Sequence, residues 1–163
     1  MYGGRKSNYL PMTNLSNDNP LSVIRYRALS LLARREHSFI ELLSKLTERF
    51  PDNSDLVEGI VATLGQQNLQ SDQRFAEMLV AARIRRGYGP VRIQAELKYR
   101  GVSKNITELA LIESGANWFC LAKEALSKKY GSGACDEFSD KVKRSSFLQY
   151  RGFKSDHISA CFK

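Results

Sequence analysis

Two segments of the chain repeat the same order of residues 51 positions apart. The stretches ELKYRGVSKNIT (96–107) and FLQYRGFKSDHIS (147–159) share a leucine, then Tyr-Arg-Gly, then an apolar residue and a polar start for a new helix. The same step backwards aligns four more positions, since Arg85, Arg86, Ile93 and Leu97 fall on Arg34, Arg35, Leu42 and Leu46. A period near 50 residues is typical of an array of small units whose neighbours complete one another's cores.

Each period contains three stretches with helical spacing of apolar residues, and no stretch alternates as a half-buried strand does. Ser38 stands three residues before Glu41, which predicts a capping box at one helix start. Ser71 or Asp72, and later Ser103, predict further helix starts. In the first helix, the apolar residues with helical spacing are expected to face the core, namely Val23, Tyr26, Ala28, Leu29, Leu31 and Leu32. The predicted fold is therefore all-α, an elongated array of three tandem three-helix repeats.

The repeat divides the chain into four predicted segments. Residues 1–20 are expected to be a flexible N-terminal leader, because they are rich in Asn, Ser, Gly and Pro. Repeat 1 is assigned to 21–70, repeat 2 to 71–116 and repeat 3 to 117–163. The helices of the last repeat are expected at 118–130, roughly 137–150 and 155–163.

The segment Gly87-Tyr88-Gly89-Pro90 could be a phosphate-binding loop or a turn between helices. Nucleotide-binding glycine loops follow a buried strand and continue as G-x-G-x-x-G or end in G-K-[ST]. Here a helix precedes, and Pro90, Val91 and Arg92 follow. Gly87 suits a position with positive φ after a helix, and Gly89-Pro90 suits a helix start. The segment is therefore interpreted as a helix–helix turn.

Composition favours a soluble cytoplasmic protein. No apolar run reaches the ~18 residues needed to cross a bilayer, and the first twenty residues lack the apolar core of a secretory signal. The three cysteines, Cys120, Cys135 and Cys161, are widely spaced, which indicates reduced thiols rather than disulfides or a zinc site. Cys120 is expected to be buried as a small hydrophobe.

The sequence contains no recognisable catalytic set. The two histidines, His37 and His157, lie in different repeats, and no metalloprotease, serine-hydrolase or Walker pattern occurs. His37 is expected to pack or hydrogen-bond at the start of a helix. The prediction is that the chain is not an enzyme and uses no metal or other cofactor.

The charge points instead to a binding surface. The net charge is +8, and its excess lies late in the chain: 71–116 have eight basic against five acidic residues, and 117–163 have nine against five. Such an imbalance suits a polyanion or an acidic protein face, although an ordinary solvated helix face is the alternative. The candidate binding residues are Arg34, Arg35, Arg83, Arg85, Arg86, Arg92, Lys98, Arg100, Lys141, Lys143, Arg144 and Arg151. Three tyrosines near them either stack on bases or pack between repeats, namely Tyr88, Tyr99 and Tyr150.

Three stretches together resemble the RecX family of regulators of the RecA recombinase. They are ALSLLARREHSFIELLSKL (28–46), FAEMLVAARIRRGYGPVRIQAELKYRGV (75–102) and FLQYRGF (147–153). The resemblance extends over about residues 21–163. It implies an array of three-helix repeats that binds within the groove of the RecA filament on single-stranded DNA. It also implies restraint of strand exchange, ATP hydrolysis and LexA cleavage, and binding to DNA itself. The family offers no catalytic residues to transfer.

The expected partners are therefore the RecA filament and single-stranded DNA, with double-stranded DNA as a further candidate, bound by a monomer. One alternative is a sequence-tolerant DNA-binding or transcription-regulating helical protein, which would need a recognition helix in the major groove. A helical adaptor without a nucleic-acid role is the other alternative. The sequence leaves open whether the protein caps filament ends or coats the groove.

Overall fold

The structure is a computed structural model that describes residues 19–131 and 137–162, and none of these residues is in a strand. Within those ranges, no helix is long and apolar enough to cross a membrane. The described helices are α1 (Pro20–Leu32), α2 (Phe39–Arg49), α3 (Ser54–Gln66), α4 (Asp72–Arg85), α5 (Pro90–Tyr99), α6 (Lys104–Glu113), α7 (Trp118–Tyr130), α8 (Phe138–Arg151) and α9 (Ser155–Ser159). The all-α prediction is confirmed.

The buried apolar residues form three cores along the chain, each built by three successive helices. The first core, from α1–α3, consists of Ile24, Ala28, Leu42, Leu46, Val57, Ile60, Val61 and Leu64. The second, from α4–α6 and the turns around them, consists of Phe75, Ala76, Leu79, Val80, Ile93, Leu97, Val102 and Ala110. The third, from α7, α8 and the turn before α9, consists of Ala122, Ala125, Leu126, Leu148 and Phe153, and Ile158 of α9 packs against it. Trp118 packs against both the second and the third core, so it joins them.

Polar residues begin the helices largely where the sequence predicts them. The Ser38, Ser71 and Ser103 side chains each accept a hydrogen bond from a backbone N–H in the first turn of the helix that follows. The capping box expected at Ser38 is only half present, because the Glu41 carboxylate accepts hydrogen bonds from Arg35 instead. The Asp72 carboxylate accepts a hydrogen bond of 2.7 Å from the Phe39 N–H, so it binds the start of α2 rather than its own helix.

Several sequence predictions differ from the structure. Val23 and Tyr26 are exposed, because the buried stripe of α1 is the i, i+4 pair Ile24 and Ala28. Cys120 is also exposed, since α7 turns its neighbours Trp118 and Leu121 inward instead. The last helix ends at Ser159 rather than continuing to 163.

The predicted leader, 1–20, lies outside the described residues except at its end. Asn19 accepts a hydrogen bond from Leu21 N–H, and Pro20 begins α1. Because proline lacks an N–H, it suits the first turn of a helix, and the helix therefore starts before Val23.

The Gly87–Pro90 segment is a turn between α4 and α5, as predicted. Gly87 has φ +73°, Gly89 takes the extended conformation of an N-cap, and Pro90 is the first residue of α5. Gly89 is also a contact point between repeats. A Cβ built on it would lie 2.4 Å from the Gly152 carbonyl oxygen, so the two backbones can approach only because residue 89 lacks a side chain.

The repeated Tyr-Arg-Gly segment lies at each junction between repeats. At the first junction, where α2 meets the end of α5, the Ser38 hydroxyl donates to the Arg100 carbonyl at 2.8 Å. At the second junction, where α5 meets the end of α8, the Gly89 N–H donates to the Arg151 carbonyl, also at 2.8 Å. Residues 38 and 89 are one repeat step apart, as are 100 and 151. The sequence repeat therefore encodes the same docking contact twice.

Gly59, in the middle of α3, offers a stabilising substitution. A Cβ on Gly59 would meet nothing within 4 Å. Gly59→Ala should therefore raise the free energy of unfolding by about 0.5–1 kcal/mol, because alanine loses less backbone entropy in a helix. Urea denaturation measures this change. A loss of stability of similar size would contradict the open space around Gly59 and show that α3 packs closely against another part of the protein there.

Candidate nucleic-acid interface

Three of the candidate basic residues are held by carboxylates at the first junction. Arg83 makes two hydrogen bonds of 2.6 Å to Glu96, and Arg35 makes one of 2.6 Å to Glu41. Arg100 lies between the two carboxylates, 3.3 Å from each. Arg100 therefore links repeat 2 to repeat 1, whereas Arg35 and Arg83 are paired with carboxylates of their own repeats, and the charge of all three is compensated within the protein.

The ion pairs at the first junction favour charged carboxylates. The hydrogen bond from Arg83 has the largest effect on the pKa of the Glu96 carboxyl and holds it below its usual 4.5. Burial raises the pKa of Glu41, but the hydrogen bond and charge of Arg35 outweigh burial and lower the pKa overall. Both carboxylates therefore stay ionised at neutral pH and neutralise the junction.

This junction should make stability depend on acid pH. Because the folded pKa of Glu96 is depressed, its contribution is complete above pH 4.5 and is lost as the pH falls through the lower folded value. Glu96→Gln should lower the free energy of unfolding at pH 7 by about 1–3 kcal/mol and flatten its decrease in acid. Thermal unfolding between pH 3 and 7 measures both effects.

The matched control is Glu108→Gln, because Glu108 forms only an exposed ion pair of 3.7 Å with Lys104. That substitution should change stability by no more than about 0.5 kcal/mol. If the free energy of unfolding fell equally with decreasing pH in the wild type and in Glu96→Gln, the role assigned to Glu96 would be contradicted.

At the second junction the arginines lie over aromatic rings rather than beside carboxylates. The Arg92 guanidinium is 4.5 Å from the Tyr88 ring centre and 5.1 Å from that of Tyr150. Arg151 is 5.0 Å from the Tyr88 ring and 5.1 Å from the Phe147 ring. Its guanidinium also donates a hydrogen bond to the Arg86 carbonyl oxygen at 2.7 Å, which ties α8 to the turn after α4. These contacts hold both side chains and leave their positive charges without a counter-ion among the described residues.

The alternation of cations and rings continues along α7 and α8. Lys129 lies 4.3 Å from the Phe147 ring centre and 5.2 Å from that of Tyr130. Arg144 lies over Tyr130 at 5.3 Å and pairs with Asp140 at 2.8 Å. We call the whole series the cation–aromatic ladder; in order it consists of Tyr150, Arg92, Tyr88, Arg151, Phe147, Lys129, Tyr130 and Arg144. Cation–π contacts of this kind fix a charge in place without neutralising it.

An open groove runs beside the ladder, between the end of α4 and helices α7 and α8. We call it the junction groove; its charged lining consists of Arg85, Arg86, Lys128, Lys129 and Arg151, with Glu124 as the acidic member. The set predicted from the sequence does not include Lys128 and Lys129. Both lie at the C-terminus of a helix, where the helix dipole alone favours a lysine. Sequence spacing gives no sign of their role, because they approach the Arg85–Arg86 pair only in the folded protein.

Comparison of equivalent positions shows why the two junctions differ in charge. Arg100 at the first junction corresponds to Arg151 at the second, one repeat step later. The two carboxylates that Arg100 contacts, Glu41 and Glu96, correspond to Arg92 and Phe147. The second junction therefore keeps the arginine but replaces its acidic partners, and its positive charge is available to an external anion.

Four predicted residues lie outside both clusters. Arg34 follows α1, Lys98 is on α5, and Lys141 and Lys143 are on α8; all are exposed. None makes an ion pair with a described carboxylate. No contact in the described part of the chain joins them to the groove.

The histidines are packed into the fold. His37 is buried, with its Nδ1 3.0 Å from the Arg35 carbonyl oxygen, which confirms the expected role at a helix start. His157 packs edge-on against the Phe119 ring, with 4.9 Å between ring centres. Among residues 19–131 and 137–162, no group of three His, Cys, Asp or Glu side chains is placed to hold a metal ion.

Comparisons with known proteins agree on one family. The model of the second three-helix domain of RecX matches residues 71–111, and that of the third three-helix domain matches 119–162. The chain is 41% identical to the regulatory protein RecX of Ectopseudomonas mendocina, over 86% of this chain and 93% of that protein. It is 36% identical to the RecX of Halorhodospira halophila, over 84% of each chain. The crystal structure of RecX from Lactobacillus salivarius superposes with a TM-score of 0.69 at 25% identity, over 86% of this chain and 93% of that one.

Proposed function

Because the chain belongs to the RecX family of regulatory proteins, we propose that it binds RecA filaments on single-stranded DNA and restrains them. On this proposal it inhibits the recombinase, ATPase and co-protease activities of RecA and so regulates DNA repair and the SOS response. It acts as a cytoplasmic monomer without a cofactor, and its own contact with DNA is single-stranded, with double-stranded DNA as a second possible ligand.

The observation that carries the proposal is the uncompensated charge at the second junction. Arg85, Arg86 and Lys128 line the groove and make no ion pair with the described carboxylates. A protein that neutralises phosphates releases their counter-ions, which favours binding strongly at moderate salt. The groove therefore supplies an attractive site for the DNA backbone within the filament.

The array suggests how such a contact restrains a filament. Repeats 1 and 2 are joined by the ion pairs Arg74–Glu36 and Arg100–Glu41. Repeats 2 and 3 are joined by backbone hydrogen bonds from the N–H groups of residues 89 and 91 to the carbonyl oxygens of residues 151 and 152. A rigid array of this kind, held on DNA by its second junction, extends its other repeats over neighbouring RecA protomers. It then opposes the changes between protomers that accompany ATP hydrolysis and growth of the filament.

The test is RecA's ATP hydrolysis on single-stranded DNA, with this protein added in increasing amounts. Inhibition at well below one molecule per RecA would support a regulator that acts on whole filaments. The control is the same titration with the protein heat-denatured beforehand. No inhibition at excess protein, with RecA from the same organism, would overturn the proposed function.

A further inference from the structure

Two tyrosines at equivalent positions have side chains directed into solvent. Tyr99 and Tyr150 are the tyrosines of the two Tyr-Arg-Gly segments, one repeat step apart. They are 89% and 73% exposed, respectively. The hydrogen bond between repeats is made by the carbonyl of the following arginine in both cases, and most of each tyrosine side chain remains exposed.

The exposure of these rings contrasts with the aromatic residues around them. Tyr88 and Phe147 are partly buried and lie in the cation–aromatic ladder that joins repeats 2 and 3. Tyr150 forms the outer end of that ladder, where the Arg92 guanidinium lies 5.1 Å from its ring centre. The same motif therefore places a tyrosine ring in solvent at two positions, and such a ring is suited to contact a ligand rather than the core.

The charges beside the tyrosines define what that ligand must be. Arg92 lies 5.1 Å from the Tyr150 ring centre, and its guanidinium also donates to the Tyr150 carbonyl oxygen, which fixes the cation there. Lys98, the residue that precedes Tyr99 on α5, is also exposed. The nearby Glu96 does not cancel this charge, because its carboxylate is held by Arg83 and Arg100.

We propose that Tyr99 and Tyr150 are stacking platforms for unpaired bases of a single nucleic-acid strand whose phosphates contact the neighbouring cations. The proposal rests on the proposed function, because it gives the single strand of the filament a place on the protein. A single strand presents an anion and a free aromatic face at every nucleotide, which matches the combination of ring and cation at both sites. In a duplex the base faces are covered by their neighbours, so these platforms select single strands.

The experiment compares two oligonucleotides with the purified protein alone, by fluorescence anisotropy. One is oligo-dT, and the other has the same length and backbone but lacks bases. The wild type should bind oligo-dT more tightly than the abasic strand, by about 5- to 150-fold for each base that stacks. The double variant Tyr99→Ala/Tyr150→Ala should lose most of this preference while binding the abasic strand as the wild type does.

The matched control is Phe138→Ala. Phe138 is 82% exposed, but its neighbours Glu137 and Asp140 are acidic, so its removal should leave the preference for bases intact. Equal binding of the two oligonucleotides by the wild type, or an undiminished preference in the double variant, would overturn the platform proposal. So would a double variant that binds oligo-dT normally but no longer inhibits RecA, because the tyrosines would then contact protein.

These outcomes are separate from a failure of the proposed function. If the protein prefers oligo-dT through both tyrosines yet never inhibits RecA, the platforms stand and the regulatory role fails. If the protein inhibits RecA but shows no preference for bases, the regulatory role stands and the platforms fail. Thermal unfolding of each variant confirms that it is folded before binding is compared. The double variant should lose at most about 1 kcal/mol of stability, since both tyrosines are exposed and only the Arg92 contact of Tyr150 is removed.

Discussion

Gly152→Ala is expected to lower the free energy of unfolding by about 3 kcal/mol. Gly152 has φ +87°, a conformation that costs an alanine about 1–2 kcal/mol. A Cβ there would also lie 2.4 Å from the Arg92 Cβ and 2.5 Å from the Arg92 backbone nitrogen. The junction between repeats 2 and 3 must therefore open to accept it. Urea denaturation of the intact chain measures the loss.

Gly115→Ala separates the cost of the positive φ from the cost of the close approach to Arg92. Gly115 also has positive φ, +60°, but a Cβ on it would meet nothing within 4 Å. Its substitution should cost only the conformational part, about 1 kcal/mol. Equal losses in the two variants would show that the close approach of Gly152 to Arg92 does not constrain the junction.

Removing three cations from the junction groove is expected to have the largest effect on binding. The triple variant Arg85→Gln/Arg86→Gln/Lys128→Gln should bind single-stranded DNA far more weakly than the wild type at moderate salt. Each lost phosphate contact reduces the slope of log affinity against log salt by about 0.7, so the slope should become shallower by about 2. Stability should stay nearly unchanged, because these three side chains make no ion pair with the described residues. Titrations at several salt concentrations measure the slope.

A second triple variant controls for net charge. Arg27, Lys45 and Arg49 are exposed on repeat 1, and their replacement by glutamine removes the same three charges away from the groove. This variant should keep most of the affinity and the original slope. Similar losses in both triple variants would mean that overall charge, rather than the groove, governs binding.

The repeat architecture could be predicted from sequence because its signals are local. Tyr-Arg-Gly marks the end of a helix wherever it occurs, and Ser38 and Gly89-Pro90 mark helix starts by their own chemistry. These residues also form the junctions, so the period in the sequence and the contact between repeats have the same origin.

The partners of the charged residues could not be predicted in this way. Arg100 meets Glu41 through the packing of two repeats, and a separation of 59 positions gives no local sign of the pair. For the same reason, the sequence places Arg83 and Arg85 in one set of candidate binding residues, although Arg83 pairs with Glu96 and Arg85 lines the groove. The exposed face of α1 was misjudged because its apolar residues extend around more than one side of the helix, and only packing selects the buried stripe.

The central claim is that the uncompensated charge of the second junction restrains RecA, and Arg92→Glu tests it most directly. This substitution places a carboxylate at the position equivalent to Glu41, where it can pair with Arg151 as Glu41 pairs with Arg100. The second junction then resembles the first, so the fold should be retained. The variant loses the cation at 92 and neutralises Arg151, which weakens the attraction for phosphates although Arg85, Arg86 and Lys128 remain. The measurement is the concentration at which wild type and Arg92→Glu halve RecA's ATP hydrolysis on single-stranded DNA. We predict that the variant requires at least about tenfold more protein, with thermal stability close to that of the wild type. A folded Arg92→Glu variant that inhibits RecA at the wild-type concentration would contradict the account.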